Sequence, residues 1–204
     1  MFATVTITAS DLDASRHFYR TTLEAIGVMP DAWGELRLRP AGDRADVTTG
    51  LHIAFVTRSQ DQVDAFWRVG VDAGYESDGD PGRRPIYGDD YYGAFLLDPD
   101  HNSAEAVFHG RERVGPALID HLWIGVSDLA ASRRFWEALA PPLGLTLYGE
   151  RPERFHVRDE NRSFALVADG RPATRNLALA FPAPAGAEPV DATDPDGTTV
   201  TNAG

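Results

Sequence analysis

The feature that most constrains this chain is an internal repeat. Residues 10–19 read SDLDASRHFY and residues 127–136 read SDLAASRRFW. At a constant offset, Ser10, Asp11, Leu12, Ala14, Ser15, Arg16, Phe18 and Gly27 are matched by Ser127, Asp128, Leu129, Ala131, Ser132, Arg133, Phe135 and Gly144. A second echo places DPD at both 98–100 and 194–196. Self-similarity of this kind means that one supersecondary unit is used more than once.

Each copy reads as a strand followed by a helix. The alternating segments ATVTITA and DHLWIGV precede the two copies, and alternation with β-branched residues predicts strands. Ser10 or Asp11 can cap a helix by accepting an orphan backbone N–H. Leu12, Tyr19, Leu23 and Ile26 fall on one helical face, and Gly27 suits the left-handed residue that ends a helix. The second helix repeats this with Leu129, Trp136 and Leu143, and Pro141 and Pro142 should cut it short.

A further unit lies inside the first copy. LHIAFVT at 51–57 predicts a strand, and Ser59 caps a helix carrying Val63, Phe66, Trp67 and Val71. YYGAFLL and AEAVFH then form a hairpin across DPDHN, with His101 where glycine would be easiest. The half-units run over about 1–48 and 50–109. We expect a first domain over 1–110, a linker over 111–117 and a second domain over 118–204. The second domain has RFHVR, SFALVA and NLALAF as strands. No helix is expected after NLALAF, and PAPAGAEPVDATDPDG contains only turn and loop formers.

Bulk properties narrow the functions. The chain has 204 residues, a formal charge of −12 and no cysteine, which excludes disulfides and thiolate chemistry. All 19 basic residues are arginine, so a lysine Schiff base is also excluded. An acidic chain without a basic patch argues against nucleic acid, and an anionic membrane is equally unsuited. No glycine-rich phosphate loop or dinucleotide fingerprint appears, so no nucleotide cofactor is expected. No charged head with an apolar stretch opens the sequence and no apolar run is long enough to span a bilayer. A cytoplasmic protein, monomeric or homodimeric, is the expectation.

Taken together, the strand, SDLxAS(R)xFY, HIAF and YYxAFxxDPDxNxxEAVxH resemble the vicinal oxygen chelate superfamily, which includes glyoxalase I, bleomycin-resistance proteins and extradiol dioxygenases. The resemblance covers nearly all of 1–110, is good over 118–170 and is faint beyond. It implies an α+β fold of tandem βαβββ modules with curled mixed sheets, the last module degenerate, around a small-molecule cup. It also implies metal-ligand positions on the first and last strands of modules. These fall on Thr4, His52 and Glu105 in the first domain, and on His121, Ala178 and Thr201 in the second. On that grouping neither domain holds a complete triad, and His121 is expected to make a structural hydrogen bond.

Imidazole and carboxylate suit a divalent, non-thiolate site. His52 and Glu105 are therefore the candidate metal ligands, with Glu105 also the candidate catalytic group and Fe, Mn, Ni or Zn the candidate ions. His109, four residues from Glu105, and Tyr92 are candidates for a third contact. Thr4, Tyr87, Tyr92 and His109 are the candidate substrate-binding residues, and PGRRPIYGDDYYGAF is a candidate lid. Three readings stay open: an enzyme with lyase, isomerase or dioxygenase chemistry, a metal-free binding protein of the bleomycin-resistance type, and a scaffold in which the reduced second domain serves only as an interface covering the first.

Overall fold

The computed structural model describes residues 1–30, 33–111, 117–159 and 162–203. The linker expected over 111–117 lies, apart from its two ends, outside the described residues. The first half of the chain runs β1 (Thr4–Ala9), α1 (Leu12–Ala25), β2 (Leu36–Pro40), β3 (Leu51–Val56), α2 (Gln60–Asp72), β4 (Ser77–Arg83), β5 (Tyr92–Leu97) and β6 (Ser103–Phe108). The second half runs β7 (Ile119–Gly125), α3 (Leu129–Leu139), β8 (Thr146–Arg151), β9 (Arg154–Arg158), β10 (Ser163–Val167), β11 (Ala178–Pro182), β12 (Asp191–Thr193) and β13 (Thr199–Ala203).

The local chemistry of the repeat is realised. Asp11, rather than Ser10, accepts from Asp13 N and Ala14 N at the start of α1. Asp128 caps α3, and Ser59 caps α2. Gly27 and Gly144 take φ of +83° and +69°, a region that costs a side chain and not glycine. His101 adopts φ +60° in the first DPD turn, where the second copy has Gly197. Helix α3 stops at Leu139 and the two prolines continue as a 3₁₀ turn.

Strands β2, β4, β8 and β12 were not singled out from the sequence. The polar segment SDGDPGR forms β4 at a sheet edge, where Pro81 removes no interior ladder bond. The stretch read as loop after β11 contributes the short edge strand β12. Among the described residues no helix lies between β11 and β13.

Pairing follows space rather than chain order. A five-stranded sheet runs β12-β13-β11-β1-β2, and an eight-stranded sheet runs β4-β5-β6-β3-β7-β10-β9-β8. Each sheet therefore takes strands from both sides of residues 111–117. The inner two modules meet where β3 lies antiparallel to β7, with a register shift between Ala54 and Phe55. The outer modules meet where β1 lies antiparallel to β11.

Packing between the sheets depends on α3. Trp136 is fully buried and its ring meets Phe164 of β10 at 4.9 Å and Phe181 of β11 at 6.2 Å. Phe2 closes the cluster against both phenylalanines. The repeat-equivalent Tyr19 is also fully buried, and its hydroxyl donates to Asp98 Oδ2 at 3.0 Å. Burial pushes the Tyr19 hydroxyl well above its ordinary value, and Asp98 adds to the effect. Because Trp136 touches both sheets, Trp136→Ala should cost about 3–5 kcal/mol, read as a fall in the urea midpoint with one cooperative transition.

Candidate metal centre

The eight-stranded sheet brings three ligand-type side chains together. Ala54 on β3 is opposite Glu105 on β6 and opposite His121 on β7. Two residues earlier on β3, His52 points to the same face, because side chains alternate along a strand. His52, Glu105 and His121 each offer a ligand atom within 4.8 Å of the others. His52 Nε2 lies 3.1 Å from Glu105 Oε2, and His121 Nε2 lies 3.5 Å from the same oxygen.

The expected grouping of ligands by linear domain is therefore corrected. Thr4 lies in the other sheet, where Ala180 is opposite Thr4 and Thr201, just as Ala54 is opposite His121 and Glu105. The two sets are His52, Glu105 and His121 in the eight-stranded sheet, and Thr4, Ala178 and Thr201 in the five-stranded sheet. The reason is topological: β3 pairs with β7, and β1 pairs with β11. His121 was read as structural because its partners were sought in its own half of the chain. Thr4 does not line the cup around His52 and Glu105.

Neighbouring groups orient every ligand. Ser103 Oγ donates to Asp78 Oδ2 at 2.7 Å, so at its 3.2 Å contact with His52 Nδ1 it acts as acceptor. Asp120 Oδ1 lies 2.8 Å from His121 Nδ1 and, as a carboxylate, can only accept. Both imidazoles thus carry hydrogen on Nδ1 and turn the Nε2 lone pair toward Glu105. Tyr91 donates its hydroxyl to Glu105 Oε1 at 2.7 Å, which leaves Oε2 for the centre. Burial and the adjacent Glu105 push the Tyr91 hydroxyl far above its ordinary value, so it stays a donor.

Burial also lowers the His52 imidazole, more than the neighbouring Glu105 raises it. For Asp120, burial acts upward, but His109 and His121 hold the carboxyl well below the usual carboxylate range. Three electron-rich atoms with fixed outer partners thus converge on one point. Imidazole with its second nitrogen bonded to a carboxylate or hydroxyl is a recurring arrangement around protein-bound metals. The donor set of two histidines and one carboxylate suits a divalent first-row ion. The residues present fit such an ion.

Glycine makes part of this geometry. A Cβ on Gly93 would come within 2.5 Å of Glu105 Oε1 and 3.3 Å of Tyr91 Cε1. The place corresponding to Glu105 in the next module is Ala165 on β10, opposite Trp123, which stands two residues after His121. Alanine offers no donor, so that side of the centre stays open.

The remaining candidates separate. Tyr87 lines the cup, its ring 5.8 Å from Trp123 and 5.2 Å from Tyr91. Ile86 and Tyr87 stand exposed in the segment expected to act as a lid, beside Gly88 and Asp90 at the cup wall. His109 also lines the cup, but its Nε2 lies 3.2 Å from both Asp120 oxygens, so it supports His121 rather than completing the ligand set. β6 ends at Phe108, so strand alternation does not carry to residue 109. Tyr92 is corrected outright: its hydroxyl donates to Asp64 on α2 at 2.9 Å, on the opposite face of β5. The adjacent Tyr91 takes the site position. Trp123 and Asp120 were not singled out from sequence, although their alternation beside His121 was visible.

A cavity of about 1300 Å³ opens over this centre. Its walls are the curled eight-stranded sheet and the loop between β4 and β5.

Paired strand–helix–strand modules thus curl into a cup around a His-His-Glu cluster that could hold a metal ion. The Glyoxalase/Bleomycin resistance protein/Dioxygenase superfamily model matches residues 2–106, and the chain belongs to that family. Glyoxalase I from Zea mays aligns with a TM-score of 0.63 and 18% identity, covering 98% of this chain and 91% of that one. A putative dioxygenase from Bacillus subtilis aligns with a TM-score of 0.58 and 12% identity, covering 98% and 84%. At these identities the likeness is one of fold. Among curated proteins none matches the sequence. Among the described residues no helix is long and apolar enough to cross a membrane.

Gly93→Ala should displace the Glu105 carboxylate and cost about 1–3 kcal/mol through overpacking. Gly88→Ala, whose Cβ meets nothing nearer than 4.0 Å, should stay within about 0.5 kcal/mol of wild type. Parallel urea titrations compare the two.

Proposed function

We propose that this protein is a divalent-metal-dependent enzyme acting on a small molecule that presents neighbouring oxygens, with His52, His121 and Glu105 as the ligands. One observation carries the reading: Asp120 and Ser103 fix both imidazoles so that their Nε2 lone pairs face a carboxylate oxygen. Two acceptors facing a third repel unless a cation lies among them, and His52, with its basicity lowered by burial, resists supplying that cation as a proton.

Within the family's chemistries, the donor set favours the dioxygenase type. Two histidines and one carboxylate with open positions are the pattern of non-haem Fe(II) oxygenases, and Ala165 leaves the fourth place without a ligand. When bound, such an ion supplies Lewis-acid polarisation of substrate oxygens and open positions for substrate and dioxygen. The chain's own groups do the rest. Tyr91 and Gly93 hold Glu105 in place, Asp120 holds His121, and His109 on the far side of Asp120 keeps that carboxylate ionised. Tyr87, Trp123 and Phe95 offer aromatic surface that excludes water from one wall.

The second reading is a metal-free binding protein of the bleomycin-resistance type. It is favoured by the direct 3.1 Å contact between His52 and Glu105, which a proton on the imidazole would satisfy.

Elemental analysis of protein purified without chelator separates the two. The enzyme reading expects about one equivalent of Fe, Mn, Ni or Zn, and Asp120→Asn should lower metal affinity about 10–100-fold through loss of the His121 orientation. Under about a tenth of an equivalent, with no uptake on titration with these ions, defeats it. Oxygen consumption with a catechol then tests the dioxygenase assignment, and none with Fe(II)-loaded protein counts against it.

A further inference from the structure

The cup has one arginine-rich wall. The metal-type centre lies on the other side, with the carboxylates Asp78 of β4, Glu105 of β6 and Asp120 of β7, and Arg84 lines that side as well. The opposite wall, built by β8 and β9, presents Arg151, Arg154, His156 and Arg158, with Tyr148 between them. Seven of the 19 arginines of an acidic chain line this one cavity.

With 31 acidic residues available, an arginine that has no structural partner stands out. Arg162 pairs with Glu35 at 2.6 Å, and Arg171 is bound to Asp169 through two nitrogens, both at 2.8 Å. Among the described residues, no carboxylate lies within ion-pair reach of Arg151, Arg154 or Arg158. Arg151 and Arg154 are opposite one another across the β8–β9 hairpin, so two like charges sit side by side. Arg154 Nε is buried without a hydrogen-bond partner. A buried guanidinium nitrogen left unsatisfied carries a cost that a bound acceptor would remove.

Aromatic rings link this wall to the centre. The Arg154 guanidinium lies 5.3 Å from the Trp123 ring, and the Trp123 ring lies 6.3 Å from that of His52. Arg158 lies over Tyr148 at 4.6 Å. Arg171 also lies over the Trp123 ring, at 5.0 Å, so a ligand reaching from His52 towards Arg154 runs beside an indole flanked by guanidinium groups, which favours a planar or aromatic body.

We propose that the substrate of this site carries an oxyanion, carboxylate or phosphate, about one aromatic ring away from its vicinal oxygens, and that Arg151 and Arg154 receive it. This rests on the metal-centre reading for the orientation of the substrate. The arginine seat itself does not. Arginine suits the role because its planar fork donates two parallel bonds to an oxyanion and it stays charged throughout the working pH range.

The test is calorimetric binding to Zn(II)-loaded protein of two catechols that differ in one group, 3,4-dihydroxybenzoate and 4-methylcatechol. The acid should bind at least about tenfold more tightly, the value of one good charge-assisted contact. In the Arg151→Gln/Arg154→Gln variant that preference should fall below about threefold while the affinity for 4-methylcatechol is kept. Equal binding of both catechols by wild type, or a preference that survives in a variant of unchanged circular dichroism, overturns the proposal. In wild type alone the preference should shrink as KCl rises from about 0.05 to 0.5 M, and a salt-independent preference counts against it even should the variant fail to fold. Benzoate and phenyl phosphate as competitors identify which oxyanion the seat prefers, and displacement of the acid by neither overturns it. Repeating the titrations after chelation separates the two readings. An acid preference that persists in protein unable to bind Zn(II) upholds the arginine seat while removing the metal centre, and a preference seen in protein that takes up about one equivalent of Zn(II) and lost in the variant upholds both.

Discussion

The antiparallel seam between β3 and β7 is the contact on which the site depends. It sets Ala54 opposite His121, while the parallel β3–β6 pairing sets the same alanine opposite Glu105. One small residue is thus flanked on both sides by ligand-type groups, and His52 joins them from two positions earlier on the same face. A slip of one residue in either pairing would turn one of these side chains into the core, because strand faces alternate. The core itself resists such a slip: Leu51, Ile53 and Phe55 fill the other face of β3 and are all buried. Hydrophobic packing on one side of the sheet therefore fixes the geometry of the polar cluster on the other.

Around that seam the polar groups form chains rather than pairs. One runs from Asp78 through Ser103 to His52, and another from His109 through Asp120 to His121. Tyr91 completes the set at Glu105. In each chain the outer acceptor decides which imidazole nitrogen keeps its hydrogen. The consequence is a cluster whose inward-facing atoms are all acceptors. Such an arrangement is unfavourable unless a cation or a donor from the cup compensates it.

Much of this could be read from the sequence, and the failures have identifiable causes. The caps Asp11, Ser59 and Asp128, the glycine helix ends and the strained His101 turn follow from local stereochemistry, which sequence carries directly. His52 and Glu105 were legible because the family motif marks both and β3 and β6 lie in one module. His121 was seen but placed with the wrong partners, since strand pairing between modules is a non-local choice that no residue near His121 encodes. Tyr92 against Tyr91 was an error of strand parity: two adjacent tyrosines leave the inward face undecided until Gly93 and Glu105 are placed across from them. β4 escaped notice because an edge strand of Asp, Gly and Pro carries no alternating hydrophobic signal.

The five-stranded sheet shows what the fold keeps when the ligands are gone. Its equivalent positions hold Thr4, Ala178 and Thr201, none of which can take the part of an imidazole or carboxylate. Yet its scaffold chemistry is intact. The DPD turn recurs with Asp194 accepting from the backbone of Asp196 and Thr198, as Asp98 accepts from Asp100 and Asn102. Val5, Ile7, Leu179, Phe181 and Val200 remain buried. Caps, turns and core residues lower the free energy of the fold whatever the cup contains, whereas buried ligand groups cost desolvation unless something binds them. A second cup without chemistry would therefore lose its ligands and keep its strands. What remains for that sheet is mechanical: through Phe181 and Trp136 it backs β10, the strand that carries Ala165 at the open side of the centre.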